Sequence, residues 1–175
     1  MLEIFNNLAL FIEDCYERYS VRQYARLMHI SPPTASKLLN RLHKENLLKR
    51  EPYLNHLFFW ANKEEPLFIE LARIYWRKKL QQSGLLTYLH DQFTNPIVIL
   101  FGSLSKGENK KDSDIDLAIM AGKKALNLKP FENKLKRTIQ VFNFPTFQEM
   151  HDQELKINIL NGYLLLGRWK QTWIG

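Results

Sequence analysis

Phe101-Gly102-Ser103-Leu104-Ser105-Lys106-Gly107, then a polar loop from Glu108 to Ser113, then Asp114-Ile115-Asp116: this stretch decides the reading of the chain. Just ahead of it, Pro96-Ile97-Val98-Ile99-Leu100-Phe101 is a short continuous apolar run rich in β-branched residues, which predicts a buried strand. Gly102 ends that strand. Lacking a Cβ, it lets the backbone approach a bulky anion, and Ser103 adds a hydroxyl beside freshly exposed N–H groups if a helical turn begins there. Beyond the loop, Asp114 to Met120 resumes an apolar strand. Strand side chains alternate faces, so Asp114 and Asp116 point one way while Ile115 and Leu117 point into a core. Two carboxylates so close repel unless a cation sits between them, and Mg²⁺ favours one or two carboxylates plus phosphate oxygens. The pair therefore suits divalent metal better than an acid/base dyad, and the whole stretch suits chemistry on a nucleoside triphosphate. The plainer alternative is that both aspartates only solvate the start of a strand after a turn.

Spacing excludes two motifs that use similar letters. Gly102 and Gly107 have the separation of a P-loop, but Glu108 and Asn109 stand where Lys and Ser/Thr would follow. Asp112, Asp114 and Asp116 match the first ligand positions of an EF-hand loop, yet Leu117 and Lys123 occupy its glycine and bidentate glutamate positions.

On Phe101-Gly102-Ser103, Lys106-Gly107 and Asp112-Ser113-Asp114-Ile115-Asp116-Leu117, the chain resembles the minimal nucleotidyltransferases of the DNA polymerase β superfamily. The resemblance implies that Gly102, Ser103 and Lys106 bind the nucleotide. It also implies that Asp114 and Asp116 are catalytic and hold Mg²⁺ or Mn²⁺, with an NTP, expected to be ATP, as substrate. A nucleotidyl group would pass to a hydroxyl acceptor. Lys106 stands where the family usually has an arginine, which keeps the cation but loses its planar fork. A further departure concerns the third carboxylate that the family places on the next strand. That strand is expected at Thr138 to Phe144 and holds no acid, leaving Gln140 or Asn143 at the position according to register. An amide can offer an oxygen to a metal but has no charge and accepts no proton usefully. Glu149, Asp152 or Glu154 could substitute from another direction, although Phe147 to Ile157 reads as an amphipathic helix whose acids form a solvated face.

The N-terminal half has a different pattern. Ser20 can cap a helix running to His29, Ile30-Ser31 is a turn, and Ser31 can cap a second helix starting at Pro32. That helix puts Ala35, Leu38, Leu39 and Leu42 on one face. Thr34, Ser36, Lys37, Asn40, Arg41 and Lys44 lie opposite, suited to phosphates and base edges. After Asn46, expected as a left-handed cap, Leu47 to Glu51 and Leu57 to Trp60 flank a Pro-Tyr-Leu-Asn-His turn, as in a wing. The segment Ser20 to Trp60 resembles winged helix-turn-helix domains. DNA contacts are expected from Ser36, Lys37, Asn40, Arg41, Lys44 and Arg50, because basic charge concentrates there and the chain carries net charge +7 with a pI of about 9.5. An RNA or a protein target is the alternative.

With 175 residues, 45% of them hydrophobic, the chain can hold two small domains. A winged helix-turn-helix over 1–64, connecting helices over 65–92 and a nucleotidyltransferase-like domain over 93–175 are expected, an α+β chain with a small α/β domain at its C-terminal end. The single Cys15 cannot form an intrachain disulfide and is expected to fill core on a first helix from about Leu2 to Tyr19. No apolar stretch reaches a membrane span, no signal peptide is evident, and a cytoplasmic location is expected. Pro66 opens a helix through Gln82 whose apolar stripe (Leu67, Phe68, Leu71, Ile74, Tyr75, Leu80, with Trp76) suits core packing and would equally serve as a homodimer seam. Gly122 to Pro130 reads as a loop, Phe131 to Arg137 as a short helix and Tyr163 to Leu166 as a closing segment.

Two functions remain open at this stage. One is an Mg-NTP-dependent nucleotidyltransferase acting on a hydroxyl of a protein or nucleic acid and targeted by the winged helix. The resemblance adds toxin-antitoxin systems, where a partner protein is the acceptor. The other is a DNA-binding transcriptional regulator or antitoxin whose transferase-like domain is degenerate and senses a nucleotide.

Overall fold

The computed structural model describes residues 3–169. Two compact units emerge: Met1–Ala72 with Gly107–Lys111, and Arg73–Lys106 with Asp112–Gly175.

The first unit contains α1 (Glu3–Glu13), β1 (Tyr19–Ser20), α2 (Val21–Leu27), α3 (Pro32–Lys44), β2 (Leu48–Tyr53) and β3 (His56–Ala61). The strands form an antiparallel sheet in the order β1-β3-β2. Helix α1 buries Phe5, Leu8, Phe11 and Ile12 and stops well short of Tyr19. The reason is local. The Asp14 carboxylate accepts the N–H groups of Tyr16 (3.0 Å) and Glu17 (3.2 Å), a side-chain turn that competes with helix, and Tyr19 then pairs with Phe59 as strand. Cys15 is buried as expected, but in this turn and not on the helix. The expected start of that helix at Leu2 lies outside the described residues.

Helix α2 begins at Ser20 with a full capping box, in which the Ser20 hydroxyl accepts the Gln23 N–H and the Gln23 side chain accepts the Ser20 N–H. Helix α3 is capped more simply by Ser31, whose hydroxyl accepts the Thr34 N–H at 3.3 Å; it has Pro32 in its first turn and buries Ala35, Leu39 and Leu42. Asn46, at φ 59°, takes the left-handed conformation after it. The β2–β3 hairpin is tighter than its five-residue Pro-Tyr-Leu-Asn-His turn suggests. Tyr53 pairs with His56, so only Leu54 and Asn55 bridge, with φ of 44° and 60°. Positive φ at both central residues gives a turn whose twist matches the flanking strands, and Pro52 is tolerated because β2 is an edge.

Helix α4 (Pro66–Ser83) runs across the boundary at Ala72. It buries Phe68, Ala72, Tyr75, Trp76 and Leu80, whereas Leu67 and Ile74 are exposed. These two stand one position ahead of Phe68 and Tyr75, roughly 100° around the helix, and so leave the expected stripe.

The second unit continues with α5 (Leu85–Gln92), β4 (Ile97–Phe101), α6 (Gly102–Lys106), β5 (Ile115–Met120), α7 (Lys129–Leu135), β6 (Ile139–Phe144), α8 (Gln153–Leu160) and β7 (Tyr163–Leu166). Its sheet has the order β6-β5-β4-β7, with β5 and β6 parallel through α7 and the other pairs antiparallel. Helix α7 starts two residues before the expected Phe131, with Pro130 in its first turn, and ends where Lys136 turns left-handed. The single helix expected over Phe147 to Ile157 is instead a 3-10 turn at Phe147–Glu149 followed by α8, because Asp152 caps a new start by accepting the Leu155 N–H at 3.0 Å.

On one face of this sheet, Ile97, Ile99, Phe101, Ala118 and Met120 form a core cluster with Met150 and Ile159. On the other, Val98, Leu100, Ile115, Leu117 and Ile119 are buried as well. A sheet covered on both faces is a rigid mount for polar groups at its strand ends. No described helix is long and apolar enough to cross a membrane.

Candidate active site

The site lies where β4 gives way to α6 and β5 begins. Phe101 pairs with Asp116, so the last residue of one strand stands beside the second aspartate of the next. Directly after it, Gly102 has φ 69° and opens the five-residue helix α6, with Ser103 in its first turn. A Cβ built on Gly102 would lie 2.2 Å from Asp116 Oδ2. Both the positive φ and this close approach demand glycine. Buried Leu104 anchors α6, and the Ser105 hydroxyl donates back to the Gly102 carbonyl at 3.0 Å. Lys106 ends the helix with its ammonium donating to Asn158 Oδ1 of α8 at 2.9 Å.

Asp114 precedes β5 and Asp116 is its second residue, so alternation directs both carboxylates to the same face. Burial, and then the charge of Asp114, raise the Asp116 carboxyl above its ordinary value. A hard, oxygen-rich donor pair strained by its own charge fits a divalent cation such as Mg²⁺, whose field would offset both causes.

The register of β6 resolves the choice between the two amides. Gln140 pairs with Asp116 and its side-chain N–H donates to Asp114 Oδ2. Asn143 pairs with Ile119, on the face away from the aspartates, where both polar atoms of its side chain are buried without a hydrogen-bond partner. Glu149, Asp152 and Glu154 do not replace the missing acid. Among the described residues, no third Asp, Glu, His or Cys gathers with the aspartates in a metal-binding group. The sequence flagged Gln140 only as one of two candidates. Its hydrogen bond to Asp114 depends on a pairing between distant segments.

In the first unit, Ser36, Lys37, Asn40, Arg41 and Lys44 line one shallow groove along α3. Arg50, from β2, donates to Asn40 Oδ1, while Asn40 Nδ2 donates to the Ser36 carbonyl at 2.8 Å. The Asn40 amide is thus engaged at both ends. Arg41 reaches Glu45 at 3.3 Å, an exposed pair that exchanges readily with solvent.

Residues 85–170 match the polymerase beta nucleotidyltransferase family. The matched segment contains α5, the whole four-stranded sheet, Gly102-Ser103 and both aspartates. That family transfers nucleotidyl groups, and its domains typically use an NTP and a divalent metal. Comparison with curated proteins and with solved structures returned no match.

Proposed function

We propose that the second unit transfers a nucleoside monophosphate from a metal-bound NTP to a hydroxyl of a protein or nucleic acid, and that the first unit is a winged helix-turn-helix that binds DNA. The observation that carries the transferase reading is the packing of Gly102 against Asp116. The turn offered to phosphate and the aspartate offered to metal are packed together, and a side chain at 102 would have to displace the Asp116 carboxylate.

In this reading the N–H groups and hydroxyl at Gly102-Ser103 hold the triphosphate, with the Lys106 ammonium nearby as a point charge. Asp114 and Asp116 hold the divalent cation. When bound, that ion neutralises charge on the phosphates and orients them for in-line displacement. The acceptor oxygen forms a bond to the α-phosphorus, the bond from that phosphorus to the bridging oxygen breaks, and pyrophosphate leaves with the electron pair. The hydroxyl proton leaves to water, since Gln140 presents no base. A toxin-like partner protein is one acceptor of the right chemistry.

A second reading has its own support. The amide of Gln140, in place of an acid beside Asp116, favours a DNA-bound regulator that senses a nucleotide without turning it over. Transfer of label from each α-³²P ribonucleoside triphosphate to the protein, to co-purifying proteins and to RNA, with Mg²⁺ or Mn²⁺, separates the two. Label that disappears in Asp114→Asn/Asp116→Asn establishes the transferase. Nucleotide binding without label on any acceptor establishes the sensor.

A further inference from the structure

The cation site differs from a symmetrical cluster of acids in one respect, which is what Gln140 does to Asp114. Asp114 offers two oxygens, and Oδ2 already accepts the N–H of the Gln140 amide. An N–H aimed at an oxygen carries partial positive charge and repels a cation that would use the same lone pair. That occupies one of the roughly four lone-pair sites of the Asp114 carboxylate and makes Oδ1, with the oxygens of Asp116, the better-placed donors for metal. Mg²⁺ demands near-ideal octahedral geometry from oxygen ligands, so this set, completed by phosphate and water, serves one ion. A second ion beside the first would need further charged oxygen ligands. Beside Asp116 the neighbouring strand offers only Gln140, an amide without charge.

We propose that Asp114, Asp116 and Gln140 form a one-cation site. In it Gln140 is a positioning residue that fixes the Asp114 carboxylate and keeps a second divalent ion out. This rests on the reading of the second unit as a metal-dependent nucleotide site. It holds equally whether that site turns the nucleotide over or only senses it.

The pairing also explains why an amide can stand there. A third carboxylate at 140 would add a negative charge to those of Asp114 and Asp116 that a single divalent ion cannot neutralise. The amide instead satisfies one Asp114 oxygen in the absence of metal. Gln140 is exposed on the edge strand of the sheet, so replacing it leaves the core intact.

The test counts bound Mn²⁺ by electron paramagnetic resonance on the full chain saturated with α,β-methylene ATP, with nucleotide binding followed separately by calorimetry. The wild-type protein is expected to hold about one Mn²⁺ and Gln140→Glu about two. Gln140→Ala is expected to keep about one, held several-fold more weakly because Asp114 is no longer fixed. Two Mn²⁺ in the wild type, or a count that stays at one in Gln140→Glu, would overturn the proposal while leaving the nucleotide site standing. Nucleotide binding with no Mn²⁺ would overturn the proposal and the metal role of the aspartates. Absence of both nucleotide and Mn²⁺ would overturn the underlying reading as well.

Discussion

At Gly102 the backbone bends through φ 69° with the Asp116 carboxylate pressed against the space a side chain would fill. Gly102→Ala must therefore move Asp116 or distort the turn, at a cost of about 1–3 kcal/mol for the strained conformation alone. The expected outcome is a lower melting temperature together with lost affinity for the nucleotide analogue, read by calorimetry on the same preparation. Asp116 itself responds to pH. Its folded carboxyl is raised above the unfolded value, so the folded state binds more protons and metal-free stability falls as pH rises through that window. Asp116→Asn removes the penalty. At neutral pH without metal the variant is expected to be more stable, by about 0.5 kcal/mol given solvent screening at a half-exposed group. The gain should shrink as the pH is lowered below the ordinary carboxylate range, and denaturant titrations at several pH values check it. With saturating Mg²⁺ and nucleotide the order should reverse, because the ion stabilises only the carboxylate.

The elements divide according to whether their signals are local. Helices α2 and α3 and strand β4 were legible because capping serines, a proline in the first turn and an unbroken apolar run each act within a few residues. Ser20→Ala is accordingly expected to cost about 1 kcal/mol by removing the capping box of α2, measured as a shift in the denaturation midpoint with unchanged slope. The end of α1 and the start of α8 differ from the sequence expectation for a common reason. Apolar periodicity ran on past Asp14 and through Asp152, but in each case the aspartate carboxylate captured backbone N–H groups and set its own boundary. Gly102, Ser103, Asp114 and Asp116 are legible as a candidate site because their spacing in sequence brings them together at the end of β4 and the start of β5. The partner at Gln140 is not, since sequence cannot fix the register between β5 and β6.

For the whole molecule, the net charge of +7 bears on the proposed DNA-binding role of the first unit. If α3 and β2 meet phosphates, Lys37→Ala and Arg41→Ala should weaken duplex binding nearly uniformly across sequences. Each should also reduce the slope of log affinity against log salt by about 1, read by fluorescence anisotropy over a salt series. Unchanged slopes would remove α3 from the interface. The loop Gly107–Lys111, which connects the Gly102-Ser103 turn to the aspartates in sequence, has a separate significance because it is part of the first unit. There Asn109 is fully buried, donates to the carbonyls of Ile12 (2.9 Å) and Glu13 (3.0 Å), and accepts the Cys15 N–H on its own carbonyl. The Lys111 N–H donates to Asp14 Oδ2. The family-matched segment is therefore not a cassette that can be cut out at a linker. An excised 85–175 fragment would carry five residues cut off from the chain they fold with, and a graft into another protein would have to import the turn after α1 along with it.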